Sequence, residues 1–100
     1  MIIEHLTLNV PPETRAAFLE CDAAIWTTTL AAQAGFLGKE TWIEAEAPDR
    51  VHLIIRWETR EAWKSVPPDL LAATDARMTD AMGAPQAVLS CTDLEVVNPS

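Results

Sequence analysis

One hundred residues, 49% of them hydrophobic, supply one core and are too apolar for a disordered chain. A formal net charge of −8 opposes phosphate backbones and anionic lipid, so no nucleic-acid partner and no membrane partner are expected. No apolar run has the length of a membrane span and no export signal opens the chain, so a single cytoplasmic domain covering residues 1–100 is expected.

Residues 2–10 read as a strand. Leu6, Leu8 and Val10 lie on one face; His5, Thr7 and Asn9 lie on the other. Pro11, Pro12 and Glu13 stop it and open a helix over 13–33. The inner stripe of that helix is read as Leu19, Ala23, Trp26 and Leu30, widened by Phe18 and Ile25. Gly35 suits the positive φ that follows a last helical turn. A second strand is predicted over 36–45, a turn over 46–49 and a third strand over 50–58. On the third strand Val51, Leu53, Ile55 and Trp57 share one face, and His52, Ile54, Arg56 and Glu58 the other. Thr59 is the expected N-cap of a short helix. Pro67, Pro68 and Asp69 open another that runs to Met82 and ends at Gly83. Residues 86–97 form the last strand, and 98–100 a tail.

The order β-α-β-β-α-β predicts an α+β, ferredoxin-like fold: a four-stranded antiparallel sheet with helices on one face. The apolar faces of the first and third strands belong under the helices. Their other faces, which put Ile3 and Ile54 beside His5 and His52, are left open in a single chain. A partner would cover them. In the second strand Phe36, Gly38 and Trp42 share parity, which puts Trp42 under the helices opposite Leu53 and gives Gly38 the task of close helix packing. Glu40 has the same parity and does not fit.

The run LAAQAGFLGKETW resembles the helix-to-strand junction of antibiotic-biosynthesis-monooxygenase-like proteins, and VHLIIRWETREAW resembles their third strand. The resemblance covers residues 2–82 and rests on packing motifs. It implies a homodimer through the open sheet face, in which two sheets close into a dimeric α/β barrel. The family includes cofactor-free monooxygenases of aromatic polyketides or quinols, haem-degrading enzymes and small bacterial proteins without assigned activity. The haem-degrading pattern is incomplete here. Asn9 matches its strand-one Asn and Trp63 falls near its helix Trp, but no histidine follows His52.

A register that opposes His5 to Arg56, Asn9 to His52 and Thr7 to Ile54 would line the barrel lumen with a few directional polar groups among apolar walls. In that lumen His52 and His5 are the candidate bases and Arg56 the candidate oxyanion partner. Asn9, Thr7, Ile54 and Trp63 are the candidate ligand contacts. The alternative is that the same polar groups simply hydrogen-bond one another, or the partner chain, across a dimer interface. Two histidines without a third ligand do not make a zinc site, and Cys21 and Cys91 have no knuckle spacing, so no metal is expected. Both cysteines are expected as small buried side chains, Trp26, Trp42 and Trp57 as core, and Glu13, Glu20, Asp22, Asp75 and Asp80 as solvated helix faces. Two function classes remain. One is a monooxygenase without cofactor acting on a small aromatic or quinone-like ligand. The other is a non-catalytic dimeric module that binds a small apolar ligand or a protein.

Overall fold

The computed structural model describes residues 1–98, so Pro99 and Ser100 of the expected tail lie outside the described residues. Period-two alternation forms β1 (Ile2–Asn9), and Pro11 and Pro12 end it. A single 3-10 turn, Pro12–Thr14, leads into α1 (Arg15–Asp22), a π-helical turn (Ala23–Thr27) and α2 (Thr28–Ala31). A hairpin follows, β2 (Phe36–Glu44) and β3 (Ala47–Trp57), with its turn at 45–46, shorter and earlier than the predicted 46–49. The short α3 (Arg60–Lys64) is capped by Thr59, whose hydroxyl accepts the Ala62 amide at 3.1 Å. The last helix, α4 (Pro68–Met82), has proline in its first turn and ends at Gly83, φ +79°. The chain finishes on β4 (Ala87–Glu95). The antiparallel sheet has the order β2-β3-β1-β4, the ferredoxin-like arrangement.

The core lies between the helices and one sheet face. Leu8, Val10, Phe18, Val51, Leu53 and Met78 pack as one cluster; Ile2, Leu30, Ile55, Trp57 and Val66 pack as a second. Phe36 meets Trp57 edge-on, with ring centroids 5.9 Å apart. Helix phase differs from the predicted stripe. Phe18, Asp22 and Leu30 are buried, while Leu19 and Ala23 face outward. The expected Asp22 of a solvated helix face is therefore a core residue. Cys91 is exposed and Cys21 half-buried, so neither is the buried side chain expected.

Gly35 turns the chain from α2 into β2 with φ +85°. A Cβ there would lie 2.4 Å from the Cβ of Ala62. Gly83 has a similar φ and open space around it. Gly35→Ala is expected to destabilise by more than about 1 kcal/mol and by more than Gly83→Ala, because only the first adds a clash to the backbone strain. Urea unfolding of the two variants measures the difference.

The parity of β2 is the main departure from expectation. Phe36 pairs with Trp57, yet Gly38 pairs with Arg56, so the strand bulges between them. Every later residue changes face. Lys39, Thr41 and Ile43 oppose Ile55, Leu53 and Val51 on the helix side. Trp42 opposes His52, not Leu53; it sits on the open face, 50% exposed, and its Nε1–H donates to Glu40 Oε1 at 2.9 Å. Glu40 also pairs with Arg56 at 2.9 Å. The bulge thus accounts for the carboxylate that did not fit. Gly38 does not serve helix packing, since nothing lies within 4 Å of where its Cβ would be.

Candidate functional site

The register of β1 on β3 is shifted by two from the predicted one. His5 faces Ile54, Thr7 faces His52, Asn9 faces Arg50 and Ile3 faces Arg56. The faces are as expected and the partners are not, so Arg56 is not opposite His5. The two histidines still meet on the diagonal, His5 Nε2 to His52 Nδ1 at 2.8 Å, with ring centroids 5.1 Å apart. His52 Nε2 lies 2.5 Å from Glu44 Oε1. A carboxylate only accepts, so a neutral His52 carries its proton on Nε2 and accepts from His5 at Nδ1. Thr7 Oγ1 is 3.4 and 3.3 Å from the two rings. Asn9 Oδ1 accepts from Arg50 Nη1 at 3.1 Å. These groups form a hydrogen-bonded network across the open sheet face. Among the described residues no group of three or more His, Cys, Asp or Glu is placed to hold a metal ion.

The cavity lies on the other face. Between the sheet and the helices is a space of about 250 Å³ whose walls include Trp26, Trp57 and Trp63. Neither histidine lines it. Of the sequence-derived candidates, only Trp63 does; it stands on α3 with Lys64 Nζ 3.8 Å above its ring. A dry cavity of about 150 Å³ already admits benzene, so this one suits a bicyclic arene.

Besides Asp75, Thr79 and Gln86, which also line it, two polar features stand out in the wall. The first is Glu4, which sits between Ile2 and Leu6 on the inward face of β1. Trp57 Nε1–H donates to Glu4 Oε1 at 3.1 Å. Burial raises the Glu4 pKa above the ordinary 4.5; the Trp57 hydrogen bond and the charges of Lys64 and Lys39 oppose this without cancelling it. The result is a carboxylate held next to apolar space at a raised basicity, the property a general base needs. The second is an ion pair, Lys39 Nζ to Asp22 Oδ2 at 2.5 Å, in which both residues line the cavity.

Sequence reasoning passed over Glu4, Asp22 and Lys39. A signal existed for the first: a carboxylate placed mid-strand with the parity of Leu6, Leu8 and Val10. A signal also existed for Lys39, since an isolated glycine within a strand marks a bulge and a bulge reverses parity. Asp22 lay one residue out of the assumed helix phase.

The family model described as antibiotic biosynthesis monooxygenase matches residues 1–65. No curated protein matches the chain. Among solved structures, a candidate antibiotic biosynthesis monooxygenase from Bordetella bronchiseptica is 22% identical and superposes with a TM-score of 0.70 over 97% of each chain. A second candidate of the same description, from Deinococcus radiodurans, is 20% identical with a TM-score of 0.71, covering 100% of this chain and 96% of that one. SnoaB, a cofactor-independent oxygenase from Streptomyces nogalater, is 17% identical with a TM-score of 0.66, covering 99% of this chain and 95% of that one. At these identities the neighbours share the fold. With the family model matched over most of its length, the chain belongs to the antibiotic biosynthesis monooxygenase family.

Proposed function

We propose that the protein is a cofactor-independent monooxygenase-like protein that takes a small aromatic ligand in the cavity beneath the helices. The observation that carries this reading is Glu4, a carboxylate of raised pKa in a space walled by three tryptophans. Indole faces bind a flat arene, and apolar walls exclude water. Glu4 takes the acidic proton of a phenol or of a ring CH₂ conjugated to one. The resulting anion is electron-rich and passes an electron to dioxygen. Recombination forms a C–O bond and a hydroperoxide. Loss of water then leaves a carbonyl, with one oxygen atom in the product and one in water, so no outside reductant is needed. Trp57 N–H steadies Glu4 in its ionised form.

The open sheet face is assigned to a homodimer. Proteins of this family are commonly dimeric. Trp42 and Leu94 are exposed on that face, at 50% and 44%, beside the His5–His52 pair. In this reading His5, His52, Thr7, Asn9 and Arg56 order the interface and do not carry the chemistry. No helix among the described residues is long and apolar enough to cross a membrane.

Oxygen uptake with 1,4-naphthalenediol and with anthrone tests the proposal. The His5→Ala/His52→Ala double variant is expected to keep its rate within about twofold of the parent, since it leaves Glu4 in place. A rate abolished by that variant moves the chemistry to the barrel lumen. No uptake with any substrate leaves the non-catalytic binding module. Trp42→Arg places a charge in the apolar patch and is expected to shift the protein from dimer to monomer, measured by sedimentation. A parent that sediments as a monomer at micromolar concentration sinks the interface.

A further inference from the structure

The Asp22–Lys39 pair has a composition that stability does not explain. Both side chains are buried, 4% exposed for Asp22 and 3% for Lys39. Buried ion pairs are commonly replaceable by apolar side chains without loss, so this one calls for another role. Its geometry is specific. Lys39 Nζ also donates to Thr27 Oγ1 at 3.0 Å. Asp22 and Thr27 are five residues apart, which on an α-helix separates them by about 140° around the axis. The π turn at Ala23–Thr27, with its i to i+5 bonding, brings them to one side so that both reach a single ammonium. Lys39 itself points inward only because of the bulge before Gly38.

Two valences of the ion pair itself remain. Asp22 Oδ1 is buried and has no hydrogen-bond partner among the described residues. An ammonium has three protons, and two of those on Lys39 are engaged by Asp22 and Thr27. One acceptor and one donor are thus held side by side on a pair with no net charge, both residues lining the cavity. A hydroxyl donates and accepts at once and fits that demand. A carboxylate does not, because it cannot donate to Asp22 and would bring a further negative charge toward Glu4. We propose that Asp22, Lys39 and Thr27 form a specificity subsite that binds a neutral hydroxyl on the aromatic ligand, a second one besides the group presented to Glu4. The inference rests on the proposed aromatic-ligand reading of the cavity. It adds that the ligand carries an uncharged hydroxyl at the Asp22–Lys39 end of the cavity.

Quenching of the cavity tryptophans by five probes tests it: naphthalene, 1-naphthol, naphthalene-1,5-diol, 5-methoxy-1-naphthol and 1-naphthoate. The diol is expected to bind about tenfold more tightly than its methyl ether, whose single hydroxyl cannot serve Glu4 and Asp22 together, and 1-naphthoate to bind most weakly. In Asp22→Leu/Lys39→Met the diol and the ether are expected to bind equally, with naphthalene bound as well as before. Equal affinities in the parent, with naphthalene still bound, overturn the subsite and leave the cavity reading intact. A diol preference that survives the double variant also overturns it. Absence of binding by every probe overturns both. The diol preference kept without any oxygen uptake overturns the oxygenase reading alone. Should the double variant not fold, the diol-to-ether ratio of the parent decides.

Discussion

Glu4→Gln is expected to lower oxygen uptake by about 10²–10⁴-fold while probe binding stays near that of the parent. The amide keeps the volume of the side chain and still accepts from Trp57 Nε1, so the cavity wall is preserved. What is lost is a group that can accept a proton. The parent rate should climb with pH as Glu4 ionises, along one ascending limb whose midpoint lies above 4.5. Stability should run the other way. Burial raises the pKa of Glu4 in the folded chain, so the folded state holds that proton more tightly than the unfolded state does. The stabilising contribution is complete below the unfolded pKa and is lost as pH rises through the folded one. Glu4→Gln, which cannot ionise, is therefore expected to melt higher than the parent at pH 8, with the gap closing toward pH 4. Thermal melts at the two pH values check the sign. A Glu4→Gln protein with full activity, or a gap that widens in acid, removes Glu4 from the role of base.

Lys39→Met is expected to destabilise the fold by about 3–5 kcal/mol, because it strands Asp22 in the core without its cation. Asp22→Leu/Lys39→Met should recover most of that loss, since neither charge of the pair is then left buried alone. The contrast separates an ion pair that must be complete from one that contributes little. Urea unfolding of the parent, the single and the double variant supplies all three values. A single variant within about 1 kcal/mol of the parent shows that Asp22 reaches solvent or another donor, and with it falls the account of a closed pair.

How far the sequence could be read depended on which period ruled each segment. On β1 and β3 a period of two survives without interruption, so the inward faces Leu6, Leu8, Val10 and Val51, Leu53, Ile55, Trp57 were legible. Thr59 as a cap and Gly35 and Gly83 as left-handed helix ends were legible for the same local reason. On β2 a single extra residue at 36–38 reversed the faces, and Trp42 and Lys39 exchanged the sides that simple alternation assigns. In the first helical segment, a stripe drawn one residue out put Asp22 outside. Both errors fell on the cavity, which is why the polar residues of its wall were missed while its tryptophans were noticed.

The amino-acid sequence by itself determined the order of the elements, the buried faces of the central strands and the acidic character of the chain. All of these follow from local periodicity, capping and composition. Only the tertiary structure decided the strand register, the bulge and the π turn, and so which charged groups stand in the core. Register, bulge and helix phase are chosen by the packing of one element on another, and a shift of one or two residues leaves local composition unchanged while replacing every partner.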